Sequence, residues 1–222
     1  MKLIFGALLW AAALLPTVAL AHGISEADKV AMLSGGYVQY AVLGAKHMLT
    51  GYDHLLFLFG VVFFLTRFAD VAKFVTAFTL GHCITLIFAT FLGITWNFWL
   101  VDAVIALTVI YKGFDNNDGF QKHLGMKSPN LLAAVFVFGL IHGFGLSTRL
   151  QQLPLGDDQA GMLGRILSFN VGVELGQIAA LSVMLMLLAA WRRRPSFERF
   201  SVVANTALMW VGQHQLKKES IP

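Results

Sequence analysis

Residues 73–93 read KFVTAFTLGHCITLIFATFLG, and this stretch decides the class of fold. From residue 74 onward it contains no Asp, Glu, Lys or Arg. An uncharged run of about 20 residues forms a helix roughly 30 Å long, which matches the hydrocarbon core of a bilayer. The sequence therefore predicts a transmembrane helix here.

Further apolar runs lie on both sides of this one, at roughly residues 53–68, 98–113, 130–147, 166–191 and 200–212. The first of them follows a mixed stretch at 35–51 that contains several glycines, so the first passage is expected to be broken or re-entrant. The predicted fold is an all-α, polytopic transmembrane helix bundle with about six mature helices.

The composition supports a membrane protein. Of the 222 residues, 57% are hydrophobic and only 13% are charged, which is outside the usual balance of soluble domains. The formal net charge of +4 comes from Lys and Arg in short stretches between apolar runs, which argues against nucleic-acid binding. A single cysteine, Cys83, excludes an internal disulfide framework and a multi-thiolate metal site.

The first 21 residues have the features of a secretory signal peptide. Lys2 precedes an apolar run at 3–15, and Val18-Ala19-Leu20-Ala21 supplies a small-x-small cleavage site. Residues 22–222 would then form a single transmembrane domain whose first residue, His22, could also bind a metal. An uncleaved first transmembrane helix is the alternative.

The connectors predict the orientation in the membrane. Those at 67–73, 112–127 and 192–199 carry most of the positive charge and should lie in the cytoplasm. The mature N-terminus would then be periplasmic, in agreement with a cleaved signal peptide. We expect a multi-pass protein of a bacterial inner (cytoplasmic) membrane.

Several ionisable residues lie inside the predicted spans, where each costs on the order of 2.5–3.5 kcal/mol without a compensating partner. With the orientation above, most fall in the outer half of their helices and one, His82, lies near the middle. Five helices thus bring polar groups to a common depth, which indicates a partly hydrated cavity open to the periplasm. These residues are Asp53, His54, His82, Asp102, His142 and Glu174.

The strongest local motif is His47-x5-Asp53-His54. Its Asp could simply cap the following helix. Alternatively, two imidazoles and a carboxylate can fold around one cation, and such ligands suit nickel, cobalt, zinc or copper(II). We favour a divalent transition metal as the ligand. His22, His123 and His214 lie near the termini or in a loop and are by default expected to be solvated.

Other polar residues accompany these candidates at helical spacing. Asn170, Glu174 and Gln177 are spaced i, i+4, i+7 and should face protein rather than lipid. Thr79 and Thr85 flank His82 at a spacing of three, although such hydroxyls can merely bond to their own backbone.

Glycines at a spacing of four indicate close helix packing. Gly139 and Gly143 flank His142, and Gly172 and Gly176 lie on roughly the opposite face from the polar stripe of their helix. Small residues at this spacing allow two membrane helices to approach closely.

These motifs resemble the HupE/UreJ family of hydrogenase and urease accessory membrane proteins, which are regarded as nickel or cobalt permeases. Besides His47-x5-Asp53-His54, the resemblance rests on three segments, and it is closest to the second branch of the family. It implies a signal peptide, about six helices and divalent-metal entry through the His-x5-Asp-His element. The segments are 78–86 (FTLGHCITL), 138–145 (FGLIHGFG) and 169–177 (FNVGVELGQ).

The sequence thus predicts a permease for a transition-metal dication, with nickel preferred over cobalt. His47, Asp53 and His54 would capture the ion, and His82, His142 and Glu174 would relay it, toward possible metalloenzyme-maturation partners. Two other classes stay open. One is an intramembrane metal-dependent hydrolase with Glu174 as general base, although a His-Glu-x-x-His motif is missing. The other is a haem-binding subunit with two axial His.

Overall fold

The computed structural model describes residue 30 and residues 35–151 and 158–219, and within them all regular structure is helical. The predicted signal peptide at 1–21 and His22 lie outside the described residues. The helices are α1 (Tyr37–Thr50), α2 (Tyr52–Val62), α3 (Phe68–Phe91), α4 (Phe98–Asn116), α5 (Gly119–Leu124), α6 (Leu131–Leu150), α7 (Gln159–Arg192) and α8 (Ser196–Glu219).

Local sequence determines where two of these helices begin. The side chain of Asn97 accepts a hydrogen bond from the backbone N–H of Trp99, at 3.0 Å, and caps α4. Asp158 caps α7 in the same way, accepting from the N–H of Gly161 at 2.8 Å. Each cap satisfies a donor in the first turn that the helix itself cannot satisfy.

Six helices form three tight pairs, α1 with α7, α3 with α6 and α4 with α8. In each pair, glycines allow the two backbones to touch, since a Cβ atom at these positions would collide with a carbonyl oxygen of the partner helix. The glycine packing expected from the sequence is therefore present. Gly172 of α7 contacts α1, Gly139 of α6 contacts α3, and Gly113 of α4 contacts α8.

The short helix α2 lies at the centre of the bundle, with contacts to α1, α4, α7 and α8. Most of its 11 residues are buried, although the helix is too short to cross a membrane. It therefore forms part of the core around which the three pairs pack. Its buried residues are Asp53, His54, Phe57, Leu58, Gly60, Val61 and Val62.

Three of the described helices are long and apolar enough to cross a membrane, namely α3, α7 and residues 131–148 of α6. In α4, Asp102, Lys112 and Asp115 reduce the apolar character, and α8 ends in the polar sequence QHQLKKE. The first passage is divided at Gly51, where a ψ of 92° ends α1 before α2 begins. The number of six spans and a re-entrant first passage stay predictions.

Candidate metal site

His142 is held on α6 with one ring nitrogen fixed and the other available. Its Nδ1 lies 2.6 Å from the backbone oxygen of Phe138, one turn earlier in the same helix. A carbonyl oxygen can only accept, so Nδ1 carries the proton and Nε2 holds a lone pair. Nε2 is fully buried and has no hydrogen-bond partner among the described residues. A buried lone pair without a partner is the arrangement that a cation would satisfy.

His54 is oriented by its neighbour at the start of α2. Its Nδ1 lies 3.0 Å from Oδ1 of Asp53, and both side chains are buried. When the carboxylate of Asp53 accepts this hydrogen bond, the lone pair of the His54 ring is on Nε2. Carboxylate behind imidazole is a common arrangement around metal ions, where it fixes the ring and raises its basicity. In this geometry Asp53 acts through His54.

Gly51 makes room for this pair. A Cβ atom at residue 51 would lie 2.6 Å from Nδ1 of His54 and 3.3 Å from Oδ1 of Asp53. Any side chain there would push the ring away from its carboxylate. The break between α1 and α2 therefore has a structural reason at the site itself.

Four helices meet at one small cavity. The ring centroids of His54 and His142 are 4.9 Å apart, and those of His47 and His54 are 5.2 Å apart. The cavity between them has a volume of about 20 Å³, enough for one water-sized occupant. It is lined by His47 of α1, His54 of α2, Asp102 and Ile105 of α4, and His142, Gly145 and Leu146 of α6.

His82 belongs to a separate polar contact between α3 and α7. Its Nδ1 lies 2.9 Å from Oδ1 of Asn170. The amide nitrogen of Asn170 donates to the carbonyl of Ile166 at 2.9 Å, which fixes the orientation of the amide and puts the proton on Nδ1 of His82. His82 does not line the cavity of His47, His54 and His142.

The remaining candidates from the sequence have different environments. Thr79 donates a 2.9 Å hydrogen bond to Oε1 of Gln177, and both are buried. Thr85 donates only to backbone carbonyls of its own helix, at 3.1 and 3.3 Å. Of the three polar residues at helical spacing on α7, Asn170 and Gln177 face protein, as predicted. Glu174 is half-buried and does not line the cavity.

Two of the histidines that were predicted to be solvated lie at the surface of the bundle. His123 and His214 are both exposed. Their rings lie beside Phe114 and Trp210, at centroid distances of 6.0 and 5.9 Å. Neither belongs to the cavity.

An aromatic layer lies directly against His142, and sequence reasoning missed it. The ring centroids of Phe78 and Phe57 are 5.0 and 6.1 Å from that of His142, and Phe138 is 5.4 Å from Phe57. Phe78 and Phe138 begin the motifs that contain His82 and His142. Because they are apolar, nothing in the sequence distinguished them from ordinary core residues.

The described residues contain no ready-made group of three or more His, Cys, Asp or Glu side chains in ligating positions. What the site offers is two oriented imidazoles and, at the same cavity, His47 and Asp102. Such a donor set suits a borderline transition-metal dication better than a hard ion such as Mg²⁺. It can hold a cation with few charges, which favours release as well as binding.

Comparison with known proteins gives one match. The family model described as HupE / UreJ protein, that of the second branch, matches residues 24–218. No curated protein and no solved structure matches the chain. The matched range includes every residue that lines the cavity.

Proposed function

The chain belongs to the HupE/UreJ family, and we propose that it is an inner-membrane permease for a transition-metal dication, nickel or cobalt. His47, His54, Asp102 and His142 contact the ion in the cavity, with Asp53 positioning His54. His82 and Glu174 form the deeper relay on α3 and α7. Cytoplasmic metalloenzyme-maturation proteins receive the ion.

The observation that carries the proposal is the pair of oriented imidazoles. Nδ1 of His142 is held by a backbone carbonyl and Nδ1 of His54 by a carboxylate, so both rings have their lone pair on Nε2. The ring centroids are 4.9 Å apart beside a cavity of water size. Nε2 of His142 is buried without a hydrogen-bond partner among the described residues, which is costly unless a cation or water joins it.

The choice of metal rests on ligand chemistry and on the family. Imidazole with a single carboxylate suits nickel, cobalt, zinc and copper(II), and affinity alone would rank copper above nickel. Selection in the cell must then depend on geometry and metal supply. A site with few charges also binds weakly enough to release the ion, which conduction requires.

A transport assay tests this function. The purified protein is reconstituted into vesicles that contain a nickel-responsive dye. We expect nickel to enter down its gradient and change the dye signal, and we expect no change in protein-free vesicles. A hydrolase would instead retain stoichiometric zinc, and a haem subunit would absorb visible light. Either of these results without metal uptake would overturn the proposal.

We also propose that the mature protein begins at His22 and that both of its termini are periplasmic. The reasons are the signal-like segment at 1–21 and the positive charge of the connectors at 67–73, 112–127 and 192–199. N-terminal sequencing should start at His22, and a C-terminal reporter that works only in the cytoplasm should be inactive. A chain that still begins at Met1, or an active reporter, would show this topology to be wrong.

A further inference from the structure

The three helix pairs and the central helix α2 are held by different kinds of contact. Within each pair, glycines put one backbone directly against the other. At Gly60 of α2, by contrast, a Cβ atom would meet only side-chain atoms, of Lys112 and Leu208. Backbone contacts leave no room for two helices to shift, whereas side chains can change rotamer and contact again elsewhere. The three pairs, here called the frame, are thus joined through backbone contacts, whereas α2 meets α4 and α8 at Gly60 through side chains.

Two polar side chains of the frame hold the C-terminal end of α2. Nη2 of Arg192, at the end of α7, donates to the carbonyl oxygens of Val62 and Phe63 at 2.7 and 2.5 Å. Asn116 of α4 donates to the carbonyl oxygen of Gly60 at 2.8 Å. Gly60 and Val62 belong to the last turn of α2 and Phe63 is its C-cap, so no N–H within the helix satisfies these carbonyls. The carbonyl of Val62 also accepts from the N–H of Leu65, and a positive charge is favourable at this end of a helix.

Aromatic rings pack around the same end. Phe63 is fully buried and lies 5.5 Å from Phe197 and 5.9 Å from Trp191, measured between ring centroids. Water therefore does not reach the carbonyl of Phe63 from this side. If Arg192 withdrew, the carbonyl of Val62 would keep its hydrogen bond from the N–H of Leu65, at 3.1 Å, whereas the carbonyl of Phe63 would lose the bond that ties it to α7.

The middle of α2 lies between the metal cavity and a second, apolar cavity. Phe57 contacts Phe78, Phe138 and His142, and next to it lies a second cavity of about 10 Å³. Only apolar side chains line this cavity, among them Val62, Val75 and Leu181, and it is too small and too apolar for a stable water. Phe57 lines this apolar cavity and contacts His142, which lines the metal cavity, so its ring lies between the two.

We propose that α2 is the moving element of the permease and that Arg192 is the latch that keeps its cytoplasmic side closed. This rests on the proposed function. Because His54, Phe57 and the latched carbonyls lie on one short helix, a single displacement of α2 withdraws His54 from the ion and Phe57 from the ring layer. Release of the metal and opening toward the cytoplasm then occur together. The break at Gly51 allows α2 to move while α1 stays in place.

Cysteine accessibility tests the latch without any metal. Cys83 is replaced by Ser, and Val75, which lines the apolar cavity from α3, is replaced by Cys. Inside-out vesicles are treated with a membrane-impermeant maleimide. In this background Arg192→Gln should raise the rate at which the introduced thiol is labelled at least about tenfold, because hydrogen bonds from a charged donor are lost. The matched control is Arg193→Gln, which removes the same charge from the next, exposed residue and should not change the rate.

Further variants distinguish loss of the Arg192 hydrogen bonds from misfolding of the protein. Arg192→Lys keeps the charge and one donor and should give an intermediate rate. Asn116→Ala removes the second tie to α2, together with the hydrogen bond from Asn116 to Oδ1 of Asn205, and should also raise labelling. Unchanged labelling in both Arg192→Gln and Asn116→Ala, or an equal rise in Arg193→Gln, would overturn the latch. Since the assay contains no metal, its outcome is independent of whether the protein transports nickel.

Discussion

Replacing His142 by Ala is expected to lower nickel uptake per protein molecule to below about a tenth of the wild-type rate. Changes to groups that merely support a metal ligand already reduce affinity roughly 10- to 100-fold, and loss of a direct ligand should do no less. His54→Ala should have a similar effect, because both rings line the same cavity. The measurement is uptake of radiolabelled nickel into vesicles, normalised to protein by immunoblot.

The amount of protein separates a loss of binding from a loss of folding. Nδ1 of His142 bonds only to a carbonyl of its own helix, so His142→Ala leaves no side chain of another helix without its partner. His82→Ala, in contrast, deprives the buried Asn170 of its partner on α3 and should lower the amount of protein as well. His123→Ala and His214→Ala, at exposed positions, should leave uptake unchanged. Wild-type uptake in both His54→Ala and His142→Ala would refute the proposed metal site.

Replacing Gly172 by Leu is expected to destabilise the bundle by about 3 kcal/mol or more, at the upper end of the cost of overpacking. A Cβ atom at residue 172 would collide with the backbone carbonyl of Ala41, which no change of rotamer can move. The gain in helix propensity from replacing glycine is only about 1 kcal/mol and cannot compensate. Thermal unfolding in detergent, followed by gel filtration, should show a lower midpoint and less monodisperse protein.

Gly36→Leu is the matched control for this substitution. A Cβ atom at Gly36 would meet nothing within 4 Å among the described residues, and its φ of −78° suits any amino acid. The only expected cost is a slightly poorer cap for α1, of about 1 kcal/mol at most. If Gly172→Leu unfolds at the same temperature as Gly36→Leu, the backbone contact between α1 and α7 is not what holds this pair together.

Much of the candidate site could be predicted from the sequence because polar residues inside membrane helices are conspicuous. The cost of burying an ionisable group in lipid is enough to make His54, His142 and Asp102 candidates. Helical spacing alone predicted that Asn170 and Gln177 face protein, and both are buried.

The apolar runs predicted the helices themselves with different precision. Those at 73–93, 98–113 and 130–147 lie within a few residues of the ends of α3, α4 and α6. The helices α7 and α8 begin earlier than their apolar runs, and α8 also ends later, because each continues into more polar sequence. Hydropathy marks the part of a helix that can lie in lipid, whereas backbone hydrogen bonding continues beyond it.

Position along a helix determines only depth in the membrane. Which neighbour a side chain meets depends on the rotation of each helix and on how the helices pair, and within the three pairs glycine contacts between backbones contribute to both. For this reason the structure alone could show that His142 joins His54 and His47 at one cavity while His82 bonds to Asn170. It likewise put Asp53 behind the ring of His54.

The same reasoning applies to Arg192. By sequence it belongs to a basic connector that orients the protein, and such residues are usually solvated. Its contact with Val62 and Phe63 joins segments about 130 residues apart in the chain. Sequence therefore determined the helices, their polar faces and the chemistry of the candidate ligands. Only the tertiary structure decided which groups meet, because helix pairing and rotation arise from contacts between residues far apart in the chain.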